Sequence, residues 1–127
     1  MATFYVNNNF YQGTSNNQAP IVASPVYEAK AVFSINAANQ LQGTIWVTKN
    51  GQLVTSNLTT ASYSIYDKDG LLIGISQSGI APDGNAQFKI TPVSATLIQD
   101  FTHYVVMLSV GADNLVRTGY VGITLGE

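Results

Sequence analysis

The chain has 127 residues, of which 9% are charged and 46% hydrophobic, and its formal net charge is −2. This length accommodates one domain with its own core and an additional arm, but not two domains of ordinary size. The absence of cysteine excludes disulfides and thiolate metal sites, so apolar packing and backbone hydrogen bonds must hold the fold together.

The first 27 residues carry no charged side chain, because the first charged residues are Glu28 and Lys30. Pro20 and Pro25 hold their own φ at about −65° and bias the residues before them toward extended backbone. The segment is rich in amides and contains five aromatic residues, Phe4, Tyr5, Phe10, Tyr11 and Tyr27. We therefore expect residues 1–27 to form an extended arm ahead of a domain over residues 28–127.

Beyond the arm, apolar and polar residues alternate with a period of two, which predicts β-strands. Asn50-Gly51 and Asp69-Gly70 predict hairpin turns because these residues accept positive φ, and Pro92 is expected to end a strand. A single helical turn or an irregular crossover is expected over 94–99. The predicted strands cover residues 29–35, 41–48 with a short continuation at 52–55, 61–66, 71–75, 85–91, 103–110 and 115–125.

These seven or so short strands, with no sustained helical period between them, predict an all-β antiparallel sandwich with almost no helix. The segment ITPVSATLIQDFTHYVVMLSV, residues 90–110, resembles the corner between strands E and F of immunoglobulin-like domains. The resemblance implies that Tyr104 is the corner tyrosine. It also implies that Val106 occupies the position which antibody domains fill with cysteine.

A second segment, GTIWVTKNGQLVTSNLTTASYSIYDKDGLLI, residues 43–73, is similar to immunoglobulin-like modules of tailed-phage virion proteins. The two resemblances together cover most of residues 28–127 and leave the arm without a counterpart. They imply an immunoglobulin-like sandwich and a structural role in a virion.

No catalytic or metal constellation emerges from the sequence. His103 is the only histidine, and an alternating strand is expected to point it at solvent rather than into a triad. Asp67 and Asp69 lie two apart as in a calcium loop, but Leu71 stands where another oxygen ligand is needed, which favours a hairpin turn. We therefore predict no enzymatic activity, no metal and no cofactor.

The five basic residues are scattered singly along the chain, so no basic stripe is available for nucleic acid. The start lacks the features of a signal peptide and no apolar run reaches membrane-spanning length, so a soluble chain made in the host cytoplasm is expected. A surface with so little charge favours association with other proteins. Copies of the chain itself and other virion proteins are the predicted partners.

Trp46 and Tyr120 are predicted interface residues in addition to the aromatic residues of the arm. Strand alternation sends Trp46 to the face opposite Ile45 and Val47, and large aromatic side chains commonly anchor interfaces. A bulge at Gly43 would reverse the alternation and bury Trp46 instead. The sequence leaves both placements open.

The leading functional hypothesis is a structural virion protein of a tailed phage, such as a capsid decoration protein, that is homo-oligomeric and attaches to neighbouring subunits through its arm. The alternative is an adhesin-type or carbohydrate-binding sandwich in which Trp46 stacks on sugars. A small hydrolase would require an acid–base constellation that the sequence does not reveal.

Overall fold

The structure, a computed structural model, describes residues 25–126. These residues form nine strands and no helix, so none of them supplies an apolar helix that could cross a membrane. In chain order the strands are β1 (Tyr27–Ile35), β2 (Gln40–Lys49), β3 (Gln52–Leu53), β4 (Ala61–Tyr66), β5 (Leu72–Ile80), β6 (Phe88–Lys89), β7 (Val93–Ser94), β8 (Thr102–Ala112) and β9 (Leu115–Leu125).

The strands form two antiparallel sheets. In the first sheet β2 pairs with β1 on one side and with the short strands β3, β6 and β7 on the other. The second sheet has the order β5-β4-β8-β9. This arrangement confirms the predicted all-β sandwich. Nine strands occur instead of about seven because the predicted continuation at 52–55 and the predicted strand at 85–91 shorten to the two-residue strands β3 and β6, and a further two-residue strand, β7, pairs with β2 after Pro92, where no strand was predicted.

The core lies between the two sheets and is filled by alternate residues of the long strands. On β2, Ile45 and Val47 are buried, and on β8 the buried positions include Val106 and Leu108. Tyr63 is the largest fully buried side chain, and its ring packs against an inward-facing aromatic of β1 with the ring centroids 5.7 Å apart. Period-two alternation therefore separates core from surface as the sequence predicts.

The crossover before β8 contains the predicted corner tyrosine. Tyr104 is only 4% exposed, and its hydroxyl accepts a 3.0 Å hydrogen bond from the backbone N–H of Gln99. Val106, two residues later, is completely buried. Both features match the strand-F corner of immunoglobulin-like domains, with packing in place of a disulfide.

Three tight turns share one hydrogen-bond pattern, in which a side-chain oxygen accepts backbone N–H groups two and four residues ahead. Asp67 accepts from Asp69 and Leu71 at 2.8 and 2.9 Å. Asp83 and Asn36 use the same pattern at the turns that they begin. This self-capping is the reason that Asx residues favour turns, and it confirms the hairpin interpretation of the Asp67 segment.

Strand β9 returns from β8 through a two-residue turn, Asp113-Asn114, in which both residues have positive φ. It then runs beside β1 at the open edge of the sandwich. An added Cβ on Gly119 of β9 would lie 2.7 Å from the carbonyl oxygen of Ala29, so glycine permits the close approach of these two edges.

Candidate interaction surface

Tyr27, predicted as the last residue of the arm, is the first residue of β1. Its hydroxyl donates a 2.7 Å hydrogen bond to Asp113 Oδ2. The guanidinium carbon of Arg117 lies 3.4 Å from the centroid of its ring, a cation–π contact. Tyr27 thus fastens β1 to the β8–β9 hairpin within its own domain.

Trp46 lies on the outer face of the first sheet. The pairing of β1 with β2 runs without interruption from Tyr27 opposite Lys49 to Ile35 opposite Leu41, so no bulge reverses the alternation. The tryptophan is half-buried, and its cross-strand neighbour is Lys30. The sequence left two placements of Trp46 open, and in the structure its side chain lies on the face of β2 that points away from the core.

Tyr120 lies on β9 and is 71% exposed. Its cross-strand partner is Met107 of β8, so the two side chains project from the outer face of the second sheet. The other predicted interface residues, Phe4, Tyr5, Phe10 and Tyr11, lie outside the described residues.

The outer face of the second sheet, on which Tyr120 lies, is formed by alternate residues of β5, β4, β8 and β9. Its members are neutral hydroxyl-bearing, apolar or aromatic side chains together with the single imidazole. We call it the uncharged face, and it consists of Ser62, Ser64, Tyr66, Leu72, Ser76, His103, Val105, Met107, Ser109, Gly111, Val116, Thr118, Tyr120, Gly122 and Thr124.

The charged side chains of residues 25–126 lie elsewhere. Glu28 and Lys30 occupy the outer face of the first sheet, where they approach each other to 3.8 Å, and Lys89 of β6 lies beside β2. The aspartates lie in turns and loops at the ends of strands. The two outer faces of the sandwich therefore differ in charge, a property that the sequence alone did not show.

The histidine is exposed at one end of the uncharged face, where His103 Nδ1 lies 3.3 Å from Thr124 Oγ1. Within residues 25–126 no group of three or more His, Asp or Glu side chains could hold a metal ion. The Asp67 and Asp83 carboxylates accept backbone N–H groups of their own turns. The chemistry that the uncharged face offers is apolar contact and hydroxyl hydrogen bonding.

Comparison with known proteins identifies no family. No family model and no curated protein matches the chain. Among solved structures, a β-glucuronidase of Parabacteroides merdae aligns with a TM-score of 0.48 and 14% identity over 77% of this chain. The chain spans 13% of the length of that enzyme.

Proposed function

We propose that this protein is a structural subunit of a larger assembly, of the kind found in tailed-phage virions, and that it functions by binding other polypeptides. The observation that carries the proposal is the uncharged face, with Tyr120 71% exposed at its edge. Covering such a face costs little charge desolvation, and tyrosine is among the residues enriched at the centres of interfaces.

The arm supplies the second contact in this proposal. Residues 1–24 contain no charge and include Phe4, Tyr5, Phe10 and Tyr11, whose rings can fill pockets on a neighbouring subunit while the amides satisfy its polar groups. Tyr27 is bound within the sandwich and anchors the point at which this segment joins the domain.

The virion assignment draws support from the resemblance of residues 43–73 and 90–110 to immunoglobulin-like modules of tailed-phage proteins. The corner geometry of Tyr104 is common to immunoglobulin-like domains in general. It therefore supports the immunoglobulin-like fold and does not by itself indicate a virion protein.

Purified particles provide the test of the virion assignment. Mass spectrometry of phage particles, purified by density from cells that encode this chain, should detect it at a constant ratio to the major capsid protein. Its absence from intact particles would refute the virion role.

The contribution of the arm is tested in the full chain by the combined substitutions Phe4→Ser, Tyr5→Ser, Phe10→Ser and Tyr11→Ser. We expect the variant to fold normally by circular dichroism and to be lost from the particles. Equal incorporation of variant and wild type would show that the arm does not attach the subunit.

A carbohydrate-binding function is the second candidate, because Trp46 does lie on an outer face. Its half-buried ring and the neighbouring Lys30 leave less open aromatic surface than sugar stacking uses. Binding to a glycan array that disappears with Trp46→Ala, while the fold is retained, would favour this function over assembly.

A further inference from the structure

The uncharged face has a height pattern that makes it complementary to itself. Its first central row runs across the sheet as Ser76, Ser64, Met107 and Tyr120. The side chains in this row are small on β5 and β4 and large on β8 and β9.

The adjacent row has the opposite order. It runs as Leu72, Tyr66, Val105 and Gly122 across the same four strands. Here the large side chains lie on β5 and β4, and on β9 the row ends at Gly122, where an added Cβ would lie 2.9 Å from His103 Cε1. The largest side chains therefore lie on β8 and β9 in the first row and on β5 and β4 in the second.

We propose that two copies of this chain pair face to face through their uncharged faces, about a two-fold axis that runs along the strands between β4 and β8. This axis reverses the order of the strands, so Tyr120 of one copy lies over Ser76 of the other and Met107 lies over Ser64. A two-fold interface uses the same patch on both copies and must be self-complementary. The inference rests on the proposed function, since it names the partner of an assembly subunit.

The second row fits the same axis. Leu72 of one copy lies over Gly122 of the other, where it meets the His103 ring, and Tyr66 lies over Val105. Large side chains meet small ones in the first row, and in the second row aromatic rings meet aliphatic side chains, so two sheets can pack at the usual separation of about 10 Å.

Charge and size favour a second copy as the occupant. A charged patch would repel its own image, whereas the described members of this face carry no Asp, Glu, Lys or Arg. Four strands about 4.8 Å apart, with a rise of about 3.3 Å per residue, give a face of roughly 20 by 30 Å. Two such faces together bury on the order of 1,200 Å², the lower end of the range for specific interfaces.

Cysteine cross-linking tests the axis directly, because the chain has no cysteine of its own. Full-length Ser76→Cys and Tyr120→Cys variants are mixed and treated with a short bis-maleimide, because facing positions on sheets about 10 Å apart are too far apart for a direct disulfide. We expect a covalent dimer from the mixture and none from either variant alone, since the axis places each position opposite the other and not opposite itself. The mixed pair also keeps one unmodified Tyr120–Ser76 contact.

An internal cross-link cannot imitate this result, because each variant carries a single cysteine in a chain that has none of its own. No cross-link in the mixture, or cross-links from either single variant, would overturn the proposed axis.

A size exchange provides a second test. Ser76→Tyr alone should set two large side chains against each other and weaken the pair about tenfold or more in light-scattering titrations, and adding Tyr120→Ser should restore it. Tyr120→Lys should weaken pairing about thirtyfold. Val32→Lys, at a similarly exposed position on the first sheet, is the control that should leave pairing unchanged.

These outcomes separate the inference from the proposed function. A wild-type chain that is monomeric by light scattering would overturn the pairing. If phage particles contain the wild-type chain but not the variant with the four arm substitutions, the assembly role would still be supported. If Val32→Lys, and not Tyr120→Lys, lowered the molar mass of the oligomer in light scattering, the copies would associate through the first sheet, and the inference would be overturned.

Discussion

Phe101 combines a strained backbone with a largely exposed side chain. Its φ is 57°, in the left-handed region that bulky residues avoid, and its side chain is 72% exposed. Its backbone N–H nevertheless donates a 2.7 Å hydrogen bond to the carbonyl of Leu125. This bond joins the start of β8 to the end of β9 and holds the strained residue in place.

Phe101→Gly should therefore stabilise the protein, by about 1 kcal/mol, because glycine adopts positive φ without a Cβ penalty. Urea unfolding measures the change. Leu97→Gly is the matched control, since Leu97 is also exposed in the same loop but is not among the positive-φ residues. The control should lower stability, and a loss with Phe101→Gly as large as in the control would contradict the strain argument.

Asp83 gives the protein a pH-dependent turn. Backbone N–H groups of Gln87 and Asn85 donate to its carboxylate and hold its pKa below the usual value of 3.8, with a smaller contribution from Lys89. A carboxyl whose native pKa is lowered stabilises the fold above its unfolded pKa, and this contribution is lost as the pH falls through the native pKa.

Asp83→Asn should keep an acceptor for both N–H groups while removing the titration. We expect the variant to show a shallower loss of stability than wild type as the pH falls below about 4. Thermal melts between neutral and acidic pH measure the slope. Identical acid slopes for the two proteins would show that Asp83 does not contribute to it.

At the scale of elements, Gln77 joins the two sheets at the edge opposite β1 and β9. Its amide nitrogen donates to the Tyr63 hydroxyl at 2.9 Å and to the Thr91 carbonyl at 2.7 Å, and its oxygen accepts from the Thr91 N–H at 3.1 Å. The side chain thus takes the place of a neighbouring strand between β5 and the segment that links β6 to β7.

Gln77→Ala should cost about 1–2 kcal/mol, because it leaves the buried Tyr63 hydroxyl without this partner, whereas the exposed backbone groups of Thr91 can bond water instead. Chemical unfolding measures the loss. Gln42→Ala is the matched control, since Gln42 makes one exposed hydrogen bond to Ser34 and should cost under about 0.5 kcal/mol. Equal losses in the two variants would argue against a bridge between sheets.

At the scale of the whole molecule, the distribution of charge matters more than its small amount. Apart from Arg117 of β9, whose guanidinium lies against the Tyr27 ring, the charged residues of the described region lie in turns, at strand ends or on the first sheet, so the proposed pairing of uncharged faces brings no ion pairs together. Its dissociation constant should change less than about twofold between about 0.05 and about 0.5 M salt, because screening acts on charges. Sedimentation at several salt concentrations measures this, and a steep salt dependence would place charged groups in the interface.

Local sequence determined most of the elements of this protein. Alternation located the long strands, and the Asn50-Gly51 and Asp69-Gly70 dipeptides located two turns, because positive φ and side-chain capping depend on residues close together in the chain. The corner of Tyr104 was expected from the resemblance to immunoglobulin-like domains, and its hydroxyl bonds to a backbone group five residues earlier. Asp113 was predicted in a turn or at a strand end, between the predicted strands 103–110 and 115–125, although the Asp113-Asn114 dipeptide was not singled out as a turn signal.

Only the tertiary structure decided which side chains share a surface. Tyr120, Met107, Ser64 and Ser76 come from four strands, and nothing in their spacing along the chain reveals that they form one row. The pairing of Gln77 with Thr91 and the approach of Ala29 to Gly119 depend likewise on which edges meet. Alternation gives the face of each residue within a strand, but the order and register of strands come from contacts between distant segments.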